Sequence, residues 1–214
     1  MNKKLVLFDL DGTLLDTLED LSEAVNYALR LRDLPLHTRD EYRKMVGHGV
    51  RNLVLQALPA SWKAEDALVD SALDDFKEYY TAHIDQFTRP YPGMQEAVTR
   101  LHGEGVFLAV ASNKFQEGTE YLVNKFFPGI PFAAVLGNRP GFPLKPDPEI
   151  VGEVLRKTGI RKEDAVMVGD SATDMKTAEN GGIQGIAVSW GYRPMDSTPG
   201  LQVVHSAEEL LRLL

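Results

Sequence analysis

The chain reads as an α/β protein in which a parallel-sheet core is interrupted by an all-helical insertion. Three observations predict this. Beyond residue 88, short apolar runs of strand length alternate with helical patterns. Such alternation implies a parallel sheet covered by helices on both faces. One more run of the same kind, Leu5-Val6-Leu7-Phe8, stands alone at the start of the chain. Between them, residues 16–87 hold helical spacing and no strand pattern. The expected architecture is a Rossmann-like core domain built from residues 1–15 and 88–214, with an all-helical domain inserted at 16–87.

The elements follow in order. Leu5-Val6-Leu7-Phe8 is β-prone and framed by Lys3-Lys4, which marks a buried strand. Leu18, Leu21, Val25 and Leu29 recur at helical spacing, with Thr17 and Asp20 resembling a capping arrangement. Thr38 and Glu41 make a capping box ahead of Tyr42, Met45 and Val46. Val50, Leu53, Val54, Ala57 and Leu58 mark a helix stopped at Pro59. A longer helix is expected over about 65–83, with Leu68, Ala72, Phe76, Tyr79 and Tyr80 facing inward. Arg89-Pro90-Tyr91-Pro92-Gly93 breaks the pattern and reads as a linker. Past it, helices are expected over 95–102, 117–127 and 173–180, and strands over 106–111, 132–136, 165–168 and 186–188. Asp147-Pro148 opens a helix that Gly159 closes, and Ser206 with Glu209 caps the last one.

Bulk properties narrow the function. The 214 residues are 43% hydrophobic and 25% charged, a globular composition. The net charge of −8 argues against nucleic acid or an anionic membrane as partner, because both need a basic footprint. An anionic substrate would need a positive field confined to its site. With no cysteine, thiolate nucleophiles, disulfides and cysteine-based metal sites are excluded. The four-residue apolar run before Asp9 is too short for a signal peptide, and no apolar stretch is long enough to span a bilayer. A cytoplasmic protein, monomeric or homodimeric, is the expectation.

The chemistry-bearing residues fall where the strands end. Asp9 and Asp11 lie two positions apart and project to one side. Gly12 lets the backbone turn and lie close to a ligand. Like charges held this close repel unless a cation or a proton separates them. The motif therefore predicts a metal ion, and a carboxylate poised to attack or to carry a proton. Taken alone, Asp9-Leu10-Asp11-Gly12-Thr13 is also an ordinary polar turn. Three further sets decide between the readings: Ser112-Asn113-Lys114, Lys145 between prolines, and Asp170 with Asp174. Each has a plainer reading, as a turn, a surface lysine, or a helix cap and first-turn acid. All four sets nevertheless lie where one open sheet would bring them together, beyond its carboxyl edge.

These motifs resemble the haloacid dehalogenase superfamily, specifically its phosphatases with a helical cap, and the resemblance covers the whole chain. It rests on Asp9-Leu10-Asp11-Gly12-Thr13-Leu14, Ser112-Asn113-Lys114, Lys145-Pro146-Asp147-Pro148 and Gly169-Asp170-Ser171-Ala172-Thr173-Asp174. The second aspartate of the first motif separates phosphatases and mutases from true dehalogenases. The resemblance implies that Asp9 attacks phosphorus to form an aspartyl-phosphate, with Asp11 as acid and then base. It implies Mg²⁺ held by the side chains of Asp9 and Asp170 and the carbonyl of Asp11. Lys145 would neutralise charge on the transferred group, and Asp174 would orient Lys145 or metal-bound water from behind. Thr13, Ser112 and Asn113 would contact the phosphoryl group.

The insertion would be the cap that sets specificity. In it, Val46-Gly47-His48-Gly49-Val50-Arg51 joins two helices, and Gly47, His48 and Arg51 are candidate substrate contacts. A helix start there offers free amides, and Arg51 could clamp a carboxylate or second phosphate. The same segment is equally a glycine-rich turn with both side chains solvated. Together with Trp190-Gly191-Tyr192-Arg193 and Gly141-Phe142-Pro143 it looks like the phosphoglycolate phosphatase branch, which implies 2-phosphoglycolate, a small phosphorylated metabolite, as substrate. A pyrophosphatase, a sugar-phosphate phosphatase or mutase, and a non-catalytic phospho-ligand module are the alternatives.

Overall fold

The computed structural model describes residues 3–193, 195 and 200–214. It divides into two compact units, Met1–Asp16 with Pro90–Leu214, and Thr17–Arg89. In chain order the elements are β1 (Leu5–Phe8), β2 (Leu15–Asp16), α1 (Leu18–Arg30), α2 (Arg39–Met45), α3 (Val50–Ala57), α4 (Ala60–Lys63) and α5 (Asp66–His83). They continue with β3 (Arg89–Pro90), α6 (Met94–Gly103), β4 (Phe107–Phe115), α7 (Gln116–Phe126), β5 (Ala134–Asn138) and α8 (Glu149–Thr158). β6 (Ala165–Gly169), α9 (Ala172–Gly181), β7 (Gln184–Val188), β8 (Val203–Val204) and α10 (Ala207–Leu213) complete the fold.

The larger unit is a six-stranded sheet in the order β5-β4-β1-β6-β7-β8. Every pair is parallel. All four residues of β1 are buried, without alternation, because a central parallel strand is covered on both faces. Leu5, Leu7 and Met167 pack on Ile150, Val151 and Val154 of α8 on one of those faces. The chain runs outward from β1 to β4 and β5, then crosses to β6, β7 and β8 on the other side of β1. Phe8 is level with Val110 of β4 and with Val168 of β6. β1 and β6 thus end side by side against β4, which runs on beyond them, and the strand order reverses here, the place where open α/β sheets bind ligands.

The smaller unit is helical. The expected capping box is present: the Glu41 amide donates to Thr38 Oγ1 and the Thr38 amide donates to Glu41 Oε2. The Thr38 amide first, and its hydroxyl second, hold the Glu41 carboxyl below its ordinary range. Asn26 organises the loop before it, accepting from Tyr42 Oη at 2.8 Å and from the His37 amide at 3.1 Å.

Several boundaries depart from the sequence reading. β4 continues four residues past Ala111, through Ser112-Asn113-Lys114 to Phe115, with an irregularity in its pairing to β5. The two-residue strands β2 and β3, the short α4, and β8 carry too few residues for a periodic signal. In α5 the buried positions include Val69 and Leu73, whereas Leu68 and Tyr79 are only half-buried. Thr17 makes no side-chain cap. Asp20 turns elsewhere and accepts from the amides of Phe87 and Thr88 and from Thr88 Oγ1, at 2.7–3.2 Å. Asp147 stands one residue outside the start of α8, accepting from the Glu149 amide at 2.9 Å.

Candidate active site

β1, β4 and β6 deliver the site. The Asp9 amide donates to the Val168 carbonyl, which fixes the first residue beyond β1 against β6. The chain then folds back sharply, with the amides of Thr13, Leu14 and Leu15 all donating to the Leu10 carbonyl. Gly12 adopts φ +88°, and a Cβ there would stand 2.4 Å from Asp170 Oδ2. Only glycine allows both the conformation and the approach. Asp170 follows β6, and its Oδ2 accepts from the Tyr192 amide at 2.7 Å.

Asp174 sits on the first turn of α9. Its Oδ2 accepts from the Ser171 hydroxyl at 2.6 Å and from the Ser171 amide, completing a capping box. Its Oδ1 accepts from Lys145 Nζ at 2.6 Å. The same ammonium donates to Asp9 Oδ1 at 2.8 Å. Asn113 holds Lys145 in place, donating to its carbonyl at 3.1 Å and accepting from its amide at 2.8 Å. Asp9, Asp170, Asp174, Lys145, Ser112 and Asn113 are all buried.

Asp9, Asp170 and Asp174 each bring a carboxylate oxygen within 4.8 Å of the others. Burial first, then the Asp174 charge, push the Asp9 carboxyl from 3.8 to about 7. The same two causes, in the same order, raise Asp170 well above its ordinary range. Burial alone would lower the Lys145 ammonium, but Asp174 and Asp9 outweigh it and keep it charged. Three buried carboxylates against one ammonium leave a deficit of positive charge. A hard divalent cation on oxygen donors fits that deficit. Both oxygens of Asp174 already take donors, so Asp9 and Asp170 have the greater capacity to hold the ion. The Asp11 side chain stands outside this group of three and pairs with Lys114, Nζ to Oδ1 at 3.0 Å.

The remaining sequence-predicted residues divide by unit. Thr13 is fully buried, its carbonyl accepting from Trp190 Nε1 at 3.1 Å, and its hydroxyl has no hydrogen-bond partner among the described residues. Gly47, His48 and Arg51 belong to the helical unit. Gly47 has φ +120° and His48 is exposed. Arg51 is engaged on α5, with Nη2 2.7 Å from Asp66 Oδ1 and Nε 3.3 Å from Asp70 Oδ1. The sequence reading assigned no role to Lys114, Gly191 or Tyr192. Lys114 stood in plain sight inside a motif. For the other two, only the run Trp190-Gly191-Tyr192 following a strand gave any signal.

The family described as haloacid dehalogenase-like hydrolase matches residues 6–188. The chain belongs to that family. A phosphoglycolate phosphatase from Mesorhizobium japonicum is 37% identical over 193 residues, covering 90% of this chain and 85% of the relative. One from Caulobacter vibrioides is 35% identical, covering 96% and 88%. A crystallised protein from Lactobacillus delbrueckii subsp. bulgaricus, assigned provisionally as a phosphoglycolate phosphatase, superposes with TM-score 0.89 at 32% identity, over 100% of this chain and 98% of that one. The haloacid dehalogenase-like chain is thus phosphoglycolate phosphatase-like over nearly its whole length.

Proposed function

We propose that this phosphomonoester hydrolase cleaves 2-phosphoglycolate in two steps through Asp9, with Mg²⁺ held by Asp9 and Asp170. The observation that carries the reading is Lys145, buried and bonded to both Asp9 and Asp174 beside Asp170. Phosphoryl transfer needs positioning and charge neutralisation more than covalent assistance, and this arrangement supplies both. Mg²⁺, when bound, neutralises charge on the phosphoryl oxygens and keeps Asp9 ionised.

In the first step an Asp9 oxygen forms a bond to phosphorus while the bond from phosphorus to the glycolate oxygen breaks. Asp11 gives its proton to that departing oxygen. In the second, water attacks phosphorus and gives a proton to Asp11, and the bond from phosphorus to Asp9 breaks, releasing phosphate. Ser112 and the unpaired hydroxyl of Thr13 donate to phosphoryl oxygens, while Asn113 contributes by fixing Lys145. The helical unit acts as the cap. For Arg51 to meet the substrate carboxylate it has to leave Asp66 and Asp70, a small cost of about 0–1 kcal/mol for exposed pairs.

The test is phosphate release with Mg²⁺ from 2-phosphoglycolate, pyrophosphate, nucleotides and sugar phosphates. The highest kcat/KM is expected for 2-phosphoglycolate. A clear preference for pyrophosphate, or isomer formation from a sugar phosphate, would overturn the substrate assignment. Asp9→Asn is expected to lower kcat by about 10⁴-fold or more with the fold retained. An active Asp9→Asn enzyme would remove the covalent step.

A further inference from the structure

The scheme above gives Lys145 a task and leaves a second buried lysine without one. Lys114 Nζ lies 3.0 Å from Asp11 Oδ1 and 3.3 Å from Asp11 Oδ2, so one ammonium faces both oxygens of the carboxylate. The lysine side chain is 1% exposed and that of Asp11 14%. The backbone beneath the lysine is held on several sides. Its amide donates to Ser112 Oγ at 3.2 Å, and its carbonyl accepts from Thr119 Oγ1 at 3.3 Å. Gly137 of β5 lies so close that a Cβ there would stand 2.6 Å from the same carbonyl. Burying and immobilising a lysine is costly in solvation and side-chain entropy, and a surface ion pair would not offset it.

We propose that Lys114 is the positioning residue for Asp11. The two lysines divide the carboxylates between them. Lys145 keeps Asp9 and Asp174 in the cluster that would hold the cation. Lys114 keeps the fourth carboxylate apart from that cluster, as the one left to move a proton. Released from Lys114, Asp11 has two other places to go: outward to water, or onto the cation beside Asp9 and Asp170. Either takes it away from the leaving oxygen, and proton transfer requires heavy atoms about 2.6–3.2 Å apart. A misplacement of about 1 Å costs roughly 10²-fold. The inference rests on the reading of Asp11 as the acid that protonates the leaving group.

The experiment compares wild type, Lys114→Met, Lys114→Arg and Asp11→Asn in the full chain with saturating Mg²⁺, by rapid quench with two substrates. 2-Phosphoglycolate has a poor alkoxide leaving group that needs the proton. 4-Nitrophenyl phosphate has a good one that leaves without it. Lys114→Met is expected to slow phosphoryl transfer from 2-phosphoglycolate by roughly 10²-fold. The 4-nitrophenol burst should change little, the dissociation constants of both substrates, read from the concentration dependence of the phosphoryl-transfer rate, should hold, and Lys114→Arg should recover part of the rate. Equal loss of the phosphoryl-transfer rate on both substrates would overturn the proposal, as would weaker binding of 2-phosphoglycolate alone, read from the concentration dependence of that rate, which would make Lys114 a substrate contact. Lys114→Gln, which keeps a donor and most of the volume, gives the same comparison if the methionine variant does not fold; it is expected to lie between wild type and Asp11→Asn. Asp11→Asn reports separately on the underlying reading: if it shows no leaving-group dependence, Asp11 is not the acid, whatever Lys114 does.

Discussion

Gly12 and Gly191 show how tightly the backbone closes on Asp170. A Cβ at Gly191 would stand 2.2 Å from Asp170 Cβ and 2.4 Å from the Gly12 carbonyl oxygen. Gly191→Ala therefore has to displace Asp170 or the loop that carries the Tyr192 amide. Its expected effect is a loss of divalent-ion affinity of about 10- to 100-fold, read by titration calorimetry with Mg²⁺ or Mn²⁺. Unchanged affinity would mean that the 189–192 loop yields instead. Of the two glycines, Gly12 was legible in the sequence, because its neighbours are acids at a strand end. Gly191 was not, since its constraint comes from residues far away in the chain. The same holds for Lys114, whose partner Asp11 lies 103 positions earlier.

At the level of elements, the helices announce themselves by their spacing, but their polar fastenings are less visible. The Thr38–Glu41 box is local, so four residues of sequence contain it whole. Asp20 looks like a local cap and instead accepts from residues 67 and 68 positions away. That carboxylate ties the 84–88 return of the chain to α1 within the helical unit. Asp20→Ala would leave the amide and hydroxyl of buried Thr88 without this acceptor, and is expected to cost about 2–4 kcal/mol in urea denaturation. A cost below about 1 kcal/mol would show that water replaces the carboxylate. β4 makes a related point. Its apolar run ends at Ala111, yet its backbone goes on as strand through the polar residues that build the site. A hydrophobic pattern ends with its last apolar residue, whereas pairing with a neighbour does not.

For the molecule as a whole, the clustered acids couple stability to pH and to metal. With Asp9 raised from 3.8 to about 7, the folded chain keeps a proton across that interval which the unfolded chain has released. Stability without a divalent ion therefore falls as pH rises through the interval. Mg²⁺ favours the ionised carboxylate, so its stabilising effect is expected to be larger at about pH 8 than at about pH 5. Thermal melts with chelator and with Mg²⁺ at both pH values measure this, and an equal shift at both would place the ion away from Asp9. The sequence by itself determined the alternation that makes a parallel sheet, the helical character of residues 16–87, and the acids and lysines standing at strand ends, because period and strand-end position are properties of neighbouring residues. Only the tertiary structure decided which acid pairs with which cation: Lys145 with Asp9 and Asp174, Lys114 with Asp11, Arg51 with Asp66 and Asp70. Those pairings follow from the order in which strands and helices are laid side by side, and that order is written in no local stretch of the chain.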